Sequence, residues 1–233
     1  MTGAWAGRRG WVASAAAAVE SFFLEPVAPP ASEASEPLEL RRVVCVFGLA
    51  RACGTTVVAR ALAAELALRD RGGAAAVACD ARPAGIPLAT HAATRLARVL
   101  EDVPGSFPRA IGRLCLVGGA DPVQLADTAR HHAPVVIDAG SEALGGAPVS
   151  VADRTVIVTT PAIEPALARV GAECVARVGA TPVVVLNRAP PARPGLVALP
   201  SSPMGARLAL GGREARAGLG RAIGELADLL ELE

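Results

Sequence analysis

The chain has 233 residues, 52% of them hydrophobic and only 3% aromatic, and a formal net charge of +1. That length supports one α/β domain around a single core, and the near-neutral charge gives no overall field for nucleic acid or an acidic surface. With so few rings the core must be built from Ala, Val and Leu, which suits parallel strands buried on both faces under closely packed helices.

Residues 1–40 differ from the rest. Trp11, Ala15, Ala18 and Phe22, with Val12, Val19 and Phe23, fall at helical spacing and form one apolar stripe. Four of the six aromatic residues are Trp5, Trp11, Phe22 and Phe23. The segment "EPVAPPASEASEP" that follows is rich in Pro, Ser and Glu and reads as a flexible linker. Residues 1–24 are therefore a candidate docking or membrane-surface element on a tether, or pack on the domain's own surface. Arg8 and Arg9 stand before a short apolar stretch that Glu20 interrupts, a poor export signal. No run approaches the roughly 20 apolar residues of a membrane span.

From residue 41 onward the pattern alternates strand and helix. "VVCVFG" reads as a strand and residues 55–70 as a helix; "AAAVACD" is a strand ending at Asp80, and "PLATHAATRLARVLEDV" a helix. "RLCLVG" is a strand, and "DPVQLADTARHH" a helix with Asp121 as its cap and Pro122 in its first turn. "APVVIDAG", "RTVIVTT" and "TPVVVLNR" are β-branched runs too apolar for an exposed sheet, and the helix "EPALARVGAECVARVG" separates the last two. "GLVALP", "SPMGARLAL" and "GLGRAIGELADLLE" close the chain as strand, helix and helix. The expected architecture is α/β: three layers, a mainly parallel sheet with helices on both faces.

Five cysteines, Cys45, Cys53, Cys79, Cys115 and Cys174, include no CxxC pair and have no histidine at zinc-ligand spacing. They read as buried free thiols of a reducing, cytoplasmic compartment. His131 and His132 sit at a helix end, where imidazole satisfies carbonyls or the helix dipole. Glu164 before Pro165 reads as a helix N-terminal acid. Ser141 lies outside any GxSxG elbow.

In a parallel sheet ligands bind where the strands end. Those positions are Gly48 to Thr56, Asp80 to Pro83, Asp138 to Ser141, Thr159 to Pro161 and Asn187 to Arg188. A phosphate cradle needs backbone N–H groups at a helix N-terminus, glycines that let the chain turn closely, a lysine for the terminal phosphates and a Ser or Thr hydroxyl for magnesium. Gly48, Gly54, Thr55 and Thr56 stand in that relation to the first helix, but the chain contains no lysine. Asp138 ends an apolar strand, in the manner of a carboxylate that holds magnesium.

Taken in order, "ARACGTTVVARALA", "CDARP", "VVIDAG", "VTTP" and "VLNR" resemble the MinD/ParA family of deviant P-loop ATPases over about residues 42–230. The resemblance implies a P-loop NTPase fold that binds ATP and Mg²⁺, with Gly48, Arg51, Ala52, Cys53, Gly54, Thr55 and Thr56 at the phosphates. Asn187 and Arg188 then stand at the base, Thr56 and Asp138 at the metal, and Leu62 and Ala63 on the helix's packing face. It also implies protein partners, a possible homodimer, and a cytoplasmic protein that can associate with the membrane or the cell pole. No specific nucleic acid is indicated.

The departures matter as much. The family's signature lysine falls on Ala50, its Walker A lysine on Thr55, two loop glycines on Arg51 and Ala52, and the second acid of its DxDP segment on Arg82, two residues after Asp80. No confident catalytic residue remains. Phosphoryl transfer depends on positioned positive charge, and losing one such cation costs roughly 10³-fold in rate. The expected protein binds ATP at most, hydrolyses little, and acts as a localisation or scaffold factor in cell division, partitioning or pilus assembly. The lysine-free loop is nearest in character to the TadZ/CpaE branch, although residues 1–40 are too short for the receiver-like domain usual there. The alternative is an active ATPase in which Arg51, with Arg82 across the pocket, replaces the lysine. A third class, an ATP-dependent amide or ligase-type synthetase, needs a substrate lid and acids that the sequence lacks.

Overall fold

In a computed structural model, residues 40–79, 94–141, 146–189 and 197–232 are described. The chain divides between Glu39 and Leu40, and all of these residues belong to the second unit. The apolar stripe of residues 11–23, its linker, and Asp80 and Arg82 lie outside the described residues.

Eight strands form one sheet in the order β3-β4-β2-β5-β1-β6-β7-β8. They are β1 (Val43–Gly48), β2 (Ala74–Ala78), β3 (Arg109–Ile111), β4 (Leu114–Val117), β5 (Val135–Asp138), β6 (Arg154–Thr159), β7 (Thr181–Asn187) and β8 (Val197–Leu199). Every pairing is parallel except β3 with β4. The central strands are buried on both faces, which is why they read as continuous apolar runs and not as alternating ones.

Val44, Val46, Val136 and Val156 point to one face, where α1 (Thr55–Arg69), α6 (Pro203–Leu210) and α7 (Ala217–Leu232) cover them. Val43, Cys45, Phe47 and Ile137 point to the other, beneath α2 (Arg95–Glu101), α3 (Pro122–Arg130), α4 (Ala147–Ser150) and α5 (Pro165–Arg177). The result is a three-layer α/β fold. Helix α1 is buried around almost its whole circumference, Leu62 and Ala63 fully so, as an Ala- and Leu-rich helix wedged between the sheet and two other helices must be.

Helix ends follow local chemistry. The Asp121 carboxylate accepts from Val123 N at 2.9 Å, with Pro122 inside the first turn. Thr94 Oγ1 accepts from Ala97 N at 3.1 Å. Arginines occupy the last turns of α1, α3 and α5, where the helix dipole favours cations. His131 is the C-cap of α3 and Glu164 the N-cap of α5, without a side-chain cap bond.

Two short elements had no signal in the sequence. Strand β3 has three residues and joins β4 through a turn with Gly112 at φ 58, too short for a period to show. Helix α4 is a single turn of four residues. Among the cysteines, Cys45, Cys53 and Cys115 are buried, whereas Cys174 is half-buried and Cys79 is exposed at the end of β2.

Candidate functional site

Parallel pairing aligns the strand ends. Val46 stands opposite Asp138, Gly48 opposite Val158, and Thr159 opposite Leu186. Register thus brings "FGLARACGTT", "VVIDAG" and "VLNR" to one edge of the sheet. Gly48 N donates to Gly140 O at 2.8 Å and Leu49 N to Val158 O at 3.0 Å, which anchors the loop on both neighbouring strands.

The loop reverses through Ala52 at φ 60 and Gly54 at φ 89. Gly54 is the N-cap of α1, in the left-handed conformation and with no side-chain cap bond, and no acid stands in the first turn. The first helical bond is Val58 N to Gly54 O at 3.0 Å. The amides of Thr55, Thr56 and Val57 therefore have no acceptor within the helix, and the positive end of the α1 dipole is not neutralised locally. Both features favour an anion.

Thr55, at the position of the missing lysine, is only 7% exposed. A Cβ on Gly48 would lie 2.3 Å from Thr55 Oγ1, so the hydroxyl rests directly over the Gly48 α-carbon. The side chain closes the base of the loop and offers no charge to a ligand above it. Thr56, the next residue, is half-buried, as is Asp138 at the end of β5. Asp138 Oδ1 accepts from Gly140 N at 3.4 Å, and the carboxylate has further interactions. Arg51 and Ala52 are exposed at the loop's tip, Arg51 with interactions of its own, and Cys53 is buried.

Asn187 ties the loop to β7. Its Nδ2 donates to Cys53 O at 2.7 Å, and its Oδ1 accepts from Arg188 N at 3.0 Å. An amide carries two donors and two acceptor lone pairs, so one of each is left over on this buried side chain. Gly54 must be glycine twice over, for its φ and because a Cβ there would lie 2.3 Å from Asn187 Nδ2. Beside it opens a cavity of about 220 Å³ lined by Gly54, Val57, Asn187, Arg188, Pro200 and Leu219, among others. That volume is below the range for drug-sized ligands and suits a single heterocycle.

Several residues of the site escaped sequence reasoning. Arg60, inside the apolar run of α1, is 4% exposed, and its Nη1 donates to Leu210 O at 2.6 Å, the last carbonyl of α6. Burial pushes its pKa down, and the charge of Asp138 offsets this in part. A buried cation thus lies within the field of the candidate metal carboxylate. An arginine interrupting "TTVVARALAA" was the only signal. Val57, Pro200 and Leu219 were also not foreseen, because nothing in their residue types marks a cavity wall. Thr159 was in the expected group of strand ends, but strand alternation turns its side chain with Ile157 toward the α5 layer.

Sheet order, layer arrangement and the strand–loop–helix at the end of β1 define a P-loop NTPase fold of three layers. No protein-family model matches the chain, and no curated protein does. Among solved structures it is similar to a ParA family ATPase from Chlorobium tepidum, with 15% identity and a TM-score of 0.58, covering 82% of this chain and 99% of that one. It is also similar to the septum site-determining protein MinD of Pyrococcus horikoshii in complex with Mg-ADP, with 16% identity and a TM-score of 0.57, covering 83% and 97%. A plasmid partition protein from Borrelia burgdorferi is 10% identical with a TM-score of 0.55, covering 83% and 99%. At such identities the likeness is one of fold. Among the described residues no helix is long and apolar enough to cross a membrane.

Proposed function

We propose that this chain is a degenerate MinD/ParA-like P-loop protein that binds an adenine nucleotide with little or no hydrolysis and serves to position other components. The supporting observation is Thr55, buried over Gly48 at the lysine position while the amide cradle around it is kept. In this reading the free amides at the start of α1 hold the phosphates, and the base enters the cavity beside Gly54, where the spare donor and acceptor of Asn187 meet its edge. Arg51 and Arg188 lie at the rim. Thr56 and Asp138 are the residues that would hold Mg²⁺, whose charge would offset that of the phosphates. This reading keeps the groups that would bind the phosphates and lacks the loop lysine that would stabilise the transferring group.

Positioning is drawn from the fold's company: septum-site determination and plasmid partition are the tasks named for two of the similar structures. Pilus localisation of the TadZ/CpaE kind is the variant that a lysine-free loop favours. A homodimer and docking through residues 1–24 belong to the same proposal.

Calorimetry with ADP and ATP in the presence of magnesium, run beside an ATP-turnover assay, tests the nucleotide half. Heat of binding that disappears in Gly54→Val is expected, with turnover at least roughly 10³-fold below that of a lysine-bearing relative. No heat of binding would refute the nucleotide site. Turnover at a relative's rate that Arg51→Ala abolishes would replace this reading with an arginine-dependent ATPase. A fluorescent fusion spread evenly through the cell would count against positioning.

A further inference from the structure

An arginine is almost never fully buried unless a partner holds it. Arg60 is 4% exposed, inside the Ala- and Leu-rich run of α1. Helix geometry relates it to the loop. Arg60 follows Thr56 by four residues, so the two share one face of α1, about 6 Å apart along its axis. Helical side chains lean back toward the N-terminus, which carries a long side chain at position 60 toward the level of Thr56.

Asp138 comes to the same place from the sheet. Val136 points into the α1 layer, and strand alternation turns Asp138, two residues on, to that same face. Val46 of β1 and Ala78 of β2 flank Asp138 on either side. The carboxylate thus sits in the middle of the sheet and opens only past the strand end. Helix α1 packs across β5, so Arg60 and Asp138 face one another between the sheet and its first helix. The charge of Asp138 supports the guanidinium against the burial that pushes its pKa down. Arg60 Nη1 also donates to Leu210 O at 2.6 Å, at the negative end of the α6 dipole. Buried and bonded there, Arg60 presents no face to a ligand in the loop. It acts on the site through its charge.

A carboxylate beside bound phosphates repels them, and a divalent cation ordinarily offsets that repulsion. Here a fixed internal cation already offsets part of it. The same cation repels a metal held by Thr56 and Asp138. At an effective dielectric of about 20, unit charges about 8 Å apart shift an equilibrium by roughly tenfold or more. We propose, resting on the nucleotide reading above, that Arg60 is a built-in counter-ion to Asp138, so that the site takes its nucleotide without requiring a divalent metal. Thr56 and Asp138 can still receive Mg²⁺, but with little gain in affinity.

Calorimetry of the full chain with ADP, in EDTA and again in magnesium, tests this. For the wild type the two Kd values should agree within about three-fold. Arg60→Met should open a gap of about tenfold or more, because binding weakens in EDTA and magnesium restores it. Arg60→Lys keeps the charge and should close the gap again. Melting of the nucleotide-free protein is a second reading, and it does not require Arg60→Met to fold. Asp138→Asn strips the buried cation of its counter-charge and should lower the melting temperature by about 3 °C or more. A wild type that binds ADP only with magnesium overturns the counter-ion role and leaves the nucleotide site standing. Equal losses in EDTA and magnesium for Arg60→Met, or an unchanged or higher melting temperature for Asp138→Asn, overturn it as well and reduce Arg60 to a pin for α6. No heat of binding in either condition refutes the nucleotide site itself, and the counter-ion role with it.

Discussion

Replacing Gly54 by alanine sets a methyl group where the Asn187 amide already stands. Two separable costs follow. The backbone at Gly54 has φ 89 and ψ 23, and an L-residue held in the left-handed region costs about 1–2 kcal/mol. The new Cβ would lie 2.3 Å from Asn187 Nδ2, so the amide must swing away and its 2.7 Å bond to Cys53 O is lost. Leaving that carbonyl unsatisfied costs about 1–3 kcal/mol, near the low end because the adjoining cavity can admit water. The sum is about 3 kcal/mol, or a fall in melting temperature of about 6–12 °C for a domain of this size. Urea denaturation of the wild type, Gly54→Ala, Asn187→Ala and the double variant gives the test. Asn187→Ala removes the obstacle, so in that background Gly54→Ala should cost only the backbone part, about 1–2 kcal/mol, with unchanged m-values. If Gly54→Ala costs the same with and without Asn187, the steric link between the loop and β7 is refuted.

Arg69 holds α1 to α7 through Asp228 at 2.6 Å, Glu231 at 3.2 Å and the Gly224 carbonyl at 3.1 Å, and within α1 it pairs with Glu65 one turn back at 2.9 Å. Arg69→Ala should cost about 1–2 kcal/mol by thermal denaturation, with the loss shrinking at high salt; a neutral result would mean solvent screens the network fully. Among the thiols, a maleimide or disulfide reagent at neutral pH should modify Cys79 first and Cys45 and Cys115 only on unfolding, read by mass spectrometry. Burial pushes the thiols of Cys45 and Cys115 up to about 12 from 9.0. The unfolded chain releases these protons first, so stability is intact below pH 9 and should fall between about pH 9 and 12. Cys45→Ala with Cys115→Ala should flatten that limb of the pH–stability curve.

The main architecture was legible because its causes are local or periodic. Continuous β-branched runs alternating with helical patterns specify a parallel sheet between helices, Asp121 and Pro122 mark the start of α3, and glycine before Thr55 marks the turn into α1. The likeness of "ARACGTTVVARALA" and "VLNR" to one family's segments also put Asn187 and Gly54 in one candidate site before any contact was known. What residue types cannot specify is the direction a side chain takes once the strands are in register. The descent of Thr55 onto Gly48, the bond from Asn187 to Cys53 O, and the burial of Arg60 against the end of α6 all join residues far apart in the chain, or set an orientation that no period records. The sequence alone determined that a phosphate-type loop without lysine follows the first strand. Only tertiary packing decided that the substituting threonine turns inward, because Gly48 leaves its hydroxyl the room that any larger residue would fill.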